Sequence, residues 1–149
     1  MSPDPVEILL VEDNPVEVRL SEEALTESGV AAHVSVVGDG VEAAAFLRRE
    51  GKYADAPRPN IILLDLALPK KGGLELLSEI KADSELRQIP VVVLTSSANP
   101  ADVLKAYDLQ ASCYITKPGD LDEFVRVLTS VRDFCLTVVQ LPSEPEGGP

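Results

Sequence analysis

The stretch Ile61-Ile62-Leu63-Leu64-Asp65-Leu66-Ala67-Leu68-Pro69-Lys70-Lys71-Gly72-Gly73 decides the fold. Four apolar residues run without a break and stop at a carboxylate. A run this short, rich in Ile and Leu, fits a strand buried on both faces, as in a parallel sheet with helices on each side. The Pro- and Gly-containing segment after Asp65 reads as a tight loop. Leu74, Leu77 and Ile80 then recur at helical spacing and predict a helix over 74 to 83.

The same grammar repeats along the chain. Ile8 to Val11 leads into Glu12-Asp13, Val91 to Leu94 into Thr95, and Cys113-Tyr114-Ile115-Thr116 into Lys117-Pro118. A further strand is expected over 33 to 37. Helices are expected between the strands. Asn14-Pro15 and Asn99-Pro100 each supply an N-cap followed by proline at the first helical position, and Gly29 supplies a stop. Gly38-Asp39-Gly40 opens a second helix carrying Val41, Ala44, Ala45 and Leu47, with Gly51 as its end, and Tyr53 to Asn60 reads as an extended loop. Val103, Leu104 and Tyr107 are expected to form the apolar face of the fourth helix. Asp120 and Glu123 make a capping-box-like start to the fifth, whose apolar face is Phe124, Leu128, Val131 and Cys135. Five βα units without repeats predict an α/β fold, a five-stranded doubly wound parallel sheet. One domain is expected over 1–142, with an apolar extension at 136–142 and a disordered tail at 143–149.

Composition narrows the function. The 149 residues carry a formal net charge of −12, and the basic pairs Arg48-Arg49 and Lys70-Lys71 are too small for a phosphate-binding patch. No nucleic-acid partner is expected. Only 4% of residues are aromatic, which argues against base-stacking surfaces. No apolar run approaches the ~18 residues that span a bilayer, and Met1-Ser-Pro-Asp-Pro has no basic region and no apolar signal core. No membrane partner and a cytoplasmic location are expected. Cys113 and Cys135 lack zinc or redox spacing and read as reduced structural residues. His33, the single histidine, reads as structural; one histidine excludes a histidine-rich metal site and weakens a Ser-His-Asp reading.

In an open α/β sheet the ligand crevice lies beyond the carboxyl ends of the strands. Glu12, Asp13, Asp65, Thr95 and Lys117 all fall there. Like-charged carboxylates at about 4 Å repel by roughly 4 kcal/mol per pair at an effective dielectric near 20, so either some of them protonate or a cation binds. A hard divalent ion, Mg²⁺ or Mn²⁺, suits oxygen ligands with open positions for water and phosphate. Three carboxylates, a divalent ion and Lys117 bring the site near neutrality. Such a site can accept a phosphoryl group, with Asp65 as nucleophile.

These residues resemble the receiver domain of two-component response regulators over about residues 6 to 135. The resemblance implies a flavodoxin-like (βα)5 fold. It also implies that Asp65 is the phosphorylated residue, that Glu12, Asp13, Asp65 and the backbone carbonyl of Ala67 hold the metal, that Thr95 and Lys117 bind the phosphoryl group, and that Tyr114 is an aromatic switch. Pro69 and Gly73 match the loop after the acceptor, and Lys117-Pro118 matches a bond that is cis in some members. The segments Tyr53 to Pro59, Leu64 to Lys71, Cys113 to Pro118 and Phe134…Leu141-Pro142 are similar to single-domain regulators paired with bacterial and cyanobacterial phytochromes. Ala67 and Gly72 depart from that subgroup, which often has a larger polar residue and an acidic one there. The resemblance implies a sensor histidine kinase, of phytochrome type, as partner. It also implies a homodimer through the fourth helix, fifth strand, fifth helix and the 136–142 extension. A Mg²⁺-dependent phosphohydrolase of similar topology is the competing reading. It meets Ala67 where a proton-transferring residue is needed. A dinucleotide or flavin binder lacks the glycines that its first turn requires.

Overall fold

In sequence order the elements are β1 (Val6–Val11), α1 (Pro15–Glu27), β2 (Ala32–Val37), α2 (Gly40–Arg48), β3 (Ile61–Leu64), α3 (Gly73–Ala82), β4 (Val91–Thr95), α4 (Pro100–Asp108), β5 (Cys113–Thr116) and α5 (Leu121–Phe134), with a 3-10 turn at Gly51–Tyr53. This is a computed structural model. It describes residues 6–29, 31–66, 68, 71–95, 100–111, 113–117 and 120–134, without the side chains of 100, 113 and 131–134. The expectations for Ala67, Pro69, Asn99, Pro118, Cys135, the 136–142 extension and the 143–149 tail lie outside the described residues, as do those for the Cys113 and Val131 side chains.

The five strands form one parallel sheet in the order β2-β1-β3-β4-β5. This is the flavodoxin-like arrangement, with its topological switch between β1 and β3. Alternation along each strand divides the core in two. Leu9, Val11, Ile62, Leu64, Val91 and Val93 face α2, α3 and α4. Ile8, Leu10, Ile61, Leu63, Val92 and Leu94 face the opposite side, where Ala24 and Leu25 of α1 meet Phe124 and Leu128 of α5. Every residue of β3 and β4 is buried, which accounts for their unbroken apolar reading.

Local signals set most boundaries. Asn14 Oδ1 accepts the N–H groups of Val16 and Glu17 at 2.9 and 3.3 Å, and Gly29 leaves α1 with φ 82°. Asp39 Oδ1 caps α2 through the Glu42 N–H at 2.7 Å, and Asp120 Oδ1 caps α5 through the Glu123 N–H at 2.8 Å.

Four details differ from the sequence reading. α2 ends at Arg49, which adopts the left-handed conformation (φ 57°); Gly51 starts the 3-10 turn instead. The segment after it is not extended throughout, because the Ala56 N–H donates to the Tyr53 carbonyl at 3.0 Å; the Tyr53 hydroxyl donates to Glu42 and its ring meets Phe46 edge-on. α2 buries Ala43, Ala44 and Phe46 while Val41 is exposed. On α4, Ala106 is fully buried while Leu104 and Tyr107 are 67% and 50% exposed. The small side chain goes against the sheet and leaves two of the three expected core residues outside.

Candidate functional site

The strand ends assemble the crevice by register. Val11 pairs with Leu64 and Leu64 with Val93, so Glu12 comes level with Asp65, and Thr95 lies one residue beyond it. Backbone hydrogen bonds extend the ladder past the strands: Asp65 N–H to Val11 C=O at 3.1 Å, Glu12 N–H to Val37 C=O at 3.0 Å and Lys117 N–H to Thr95 C=O at 2.8 Å. Glu12, Asp65 and Thr95 are buried, whereas Asp13 is exposed. Carboxylate oxygens of Glu12, Asp13 and Asp65 all lie within 4.8 Å of one another. A cluster of hard oxygen donors, two buried and one open to water, fits a divalent cation that keeps some of its own water.

Two glycines allow this geometry. A Cβ on Gly73 would come within 2.6 Å of both the Asp65 carbonyl oxygen and the Leu66 Cα. The start of α3 therefore presses directly on the backbone of Asp65 and Leu66. A Cβ on Gly40 would come within 2.7 Å of the Lys71 Cβ, so α2 opens against the loop that follows Asp65.

Lys117 enters with its side chain only 8% exposed. Its Nζ lies 2.5 Å from Glu12 Oε1, 3.1 Å from Glu17 Oε1 and 3.7 Å from Asp65 Oδ2. Burial pulls the ammonium down. The hydrogen bond to Glu12, the charges of Asp65 and Glu12 and the hydrogen bond to Glu17 outweigh burial and leave its pKa raised. The Glu12 carboxyl is pushed up by burial. The Lys117 hydrogen bond and charge oppose that rise, the Asp65 charge adds to it, and the Asn14 N–H opposes it. Both directions report one condition: an ammonium and several carboxylates crowded away from water.

The expected residues Glu12, Asp13, Asp65 and Lys117 thus come together, with Thr95 at the adjacent strand end. Tyr114 stands apart. It pairs with Val93, is half-buried against the α2–α4 side of the core, and donates its backbone N–H to the Tyr107 hydroxyl at 3.2 Å. His33 lies away from the crevice, exposed on β2, with Nδ1 2.8 Å from Glu7. The sequence reading missed Glu17. With all groups ionised, four carboxylates face one ammonium, so a divalent ion leaves the crevice with a net negative charge, not the neutrality counted from three carboxylates.

This fold and this strand-end charge cluster define a class, and comparison with known proteins agrees. The chain belongs to the response regulator receiver domain family, whose model matches residues 8–129. It is 45% identical to Response regulator Rcp1 of Synechocystis sp. over 139 residues, 93% of this chain and 95% of that protein. It superposes with a TM-score of 0.84 on the phosphorylated cyanobacterial phytochrome response regulator RcpA, at 49% identity, covering 90% of this chain and 96% of the other. The Mn²⁺-bound form of Rcp1 gives 0.82 at 44% identity, covering 95% and 100%. No helix among the described residues is long and apolar enough to cross a membrane.

Proposed function

We propose that this chain is a phosphorylated signalling switch of the cytoplasm, with Asp65 as its acceptor and a sensor histidine kinase as donor. The observation that carries the reading is the convergence of Glu12, Asp13 and Asp65 within 4.8 Å, with Lys117 3.7 Å from Asp65. In the transfer, Asp65 attacks phosphorus, the phosphorus–nitrogen bond of a phosphohistidine breaks, and an acyl phosphate forms as the imidazole leaves. Bound Mg²⁺ or Mn²⁺ supplies charge neutralisation for the carboxylates and the transferring oxygens. Glu12, Asp13 and Asp65 would hold the ion together with the Ala67 carbonyl. Lys117 and the Thr95 hydroxyl receive the phosphoryl oxygens. Tyr114, on the same sheet face as Thr95 by strand alternation, changes packing in response.

Similarity to Rcp1 and RcpA supports a kinase of phytochrome type. The exposed Leu104 and Tyr107 on α4 support a homodimer through the α4–β5–α5 face, completed by 136–142, with 1–142 as one domain and 143–149 as a tail. The protein assists its own phosphotransfer and autodephosphorylation and turns over no separate substrate.

Incubation with a small phosphodonor and Mg²⁺, followed by mapping of the acid-labile adduct, tests this. Wild type is expected to label at Asp65 and Asp65→Asn to label nowhere. Equal labelling of both proteins would sink the proposal.

A further inference from the structure

Glu17 occupies the third position of α1 after the Asn14 cap. A glutamate at that position ordinarily reaches back to the N–H of the capping residue. Here the Asn14 N–H donates instead to Glu12 Oε2 at 3.2 Å. Glu17 is thereby released from capping, and its Oε1 lies 3.1 Å from Lys117 Nζ. The ammonium is closer to Glu12 and Glu17 than to Asp65, at 3.7 Å. Lys117 is therefore held short of the acceptor it is needed to serve.

The two holding carboxylates differ. Glu12 is buried and fixed at the strand end, while the Glu17 side chain is 33% exposed. Glu17 can turn into water without desolvation cost, whereas Glu12 cannot. When an acyl phosphate forms on Asp65, its oxygens compete for the ammonium with more charge than a carboxylate carries. The partner that yields is the exposed one.

We infer that Glu17 is a positioning residue for Lys117: it holds the ammonium back in the unphosphorylated protein and gives it up as the phosphoryl group arrives. The inference rests on the receiver reading above. Removing the Glu17 charge frees Lys117 toward Asp65 and removes one repulsive charge from the path of an anionic donor. Both effects favour acceptance.

The test measures the rate of Asp65 phosphorylation by phosphoramidate with saturating Mg²⁺ in wild type, Glu17→Gln and Glu23→Gln. Glu23 is exposed further along α1 and controls for net charge alone. Glu17→Gln is expected to be about two- to fivefold faster, the scale of one partly exposed ion pair, and Glu23→Gln unchanged. In the metal-free protein, the ¹H–¹⁵N resonance of the Lys117 ammonium should shift in Glu17→Gln and stay in place in Glu23→Gln. An unchanged rate or resonance in Glu17→Gln, or equal acceleration in Glu23→Gln, overturns the inference. Absence of Asp65 labelling in every protein, wild type included, would overturn the receiver reading instead.

Discussion

Two lysine–carboxylate clusters in this molecule use the same side chains to opposite ends. At the strand ends, Lys117 is shared among Glu12, Glu17 and Asp65, with Asp13 alongside, so negative charge is in excess. Between α2 and α3, Lys71 Nζ meets both oxygens of Glu79 at 2.7 Å, and Arg48 lies 3.8 Å from the same carboxylate. There two cations hold one anion, and the charge demand of the carboxylate is met. The satisfied cluster ties Lys71, in the loop after Asp65, to α2 and α3. The unsatisfied one has the charge to attract a cation. Stoichiometry, more than residue type, separates a brace from a reactive site.

Lysine removal should break the symmetry most visibly. Lys117→Ala leaves Glu12 and Asp65 without their counterion. In chelator at neutral pH it is expected to lose up to about 3 kcal/mol, the low end for breaking a buried pair because the Asp13 side opens to water. Added Mg²⁺ should recover much of that loss in urea unfolding. Lys71→Ala should lose less than about 1 kcal/mol, with no Mg²⁺ dependence, since Glu79 is partly exposed. A Lys71→Ala protein rescued by Mg²⁺ would erase the distinction.

The paired glycines sharpen it. Gly73→Ala and Gly40→Ala should each cost about 1–3 kcal/mol through overpacking. Gly73→Ala displaces the Asp65 backbone and should lower the phosphorylation rate as well. Gly40→Ala displaces Lys71 and should affect phosphorylation less than stability. Equal loss of rate in the two variants would mean that the loop and the acceptor strand move as one body.

The smallest effect concerns a third cluster, on the exposed side of α2. The Glu42 hydrogen bond holds the Tyr53 phenol up at about 12, aided by burial and by the Glu42 and Asp39 charges. Glu42 itself is lowered, chiefly by that bond. The folded protein keeps the Tyr53 proton after an unfolded chain has lost it near 10.0. This contribution to stability is therefore complete below pH 10 and is lost as pH rises through about 12. Ultraviolet titration of Glu42→Gln against Tyr53→Phe should bring the Tyr53 midpoint back toward 10.

The sheet was legible because its central strands are buried on both faces and read as unbroken Ile, Leu and Val. Strand order followed from the family resemblance, and the crevice from the rule that strand ends converge. The orientation of α4 was not legible. Hydropathy ranks Leu104 and Tyr107 above Ala106, but close approach of helix to sheet selects the small residue. Arg49 was hidden for a related reason, since a non-glycine left-handed cap has no compositional mark. Glu17 carried a usable signal: Asn14-Pro15 fixes where α1 starts and puts Glu17 within one turn of the strand end. What the sequence does not display is that Glu12 takes the Asn14 N–H and leaves Glu17 available.

β5 is an outer strand of the sheet, and outer strands offer their amides to any passing chain. The Tyr107 hydroxyl covers one of those amides, at Tyr114. The residue expected to respond to phosphorylation therefore has its backbone held by the helix beside it. A rearrangement of Tyr114 that drew its amide away from Tyr107 would uncover a short length of sheet border. The signalling state would then differ from the resting state in adhesiveness as well as in shape, with a pairing edge that opens only while the signal lasts.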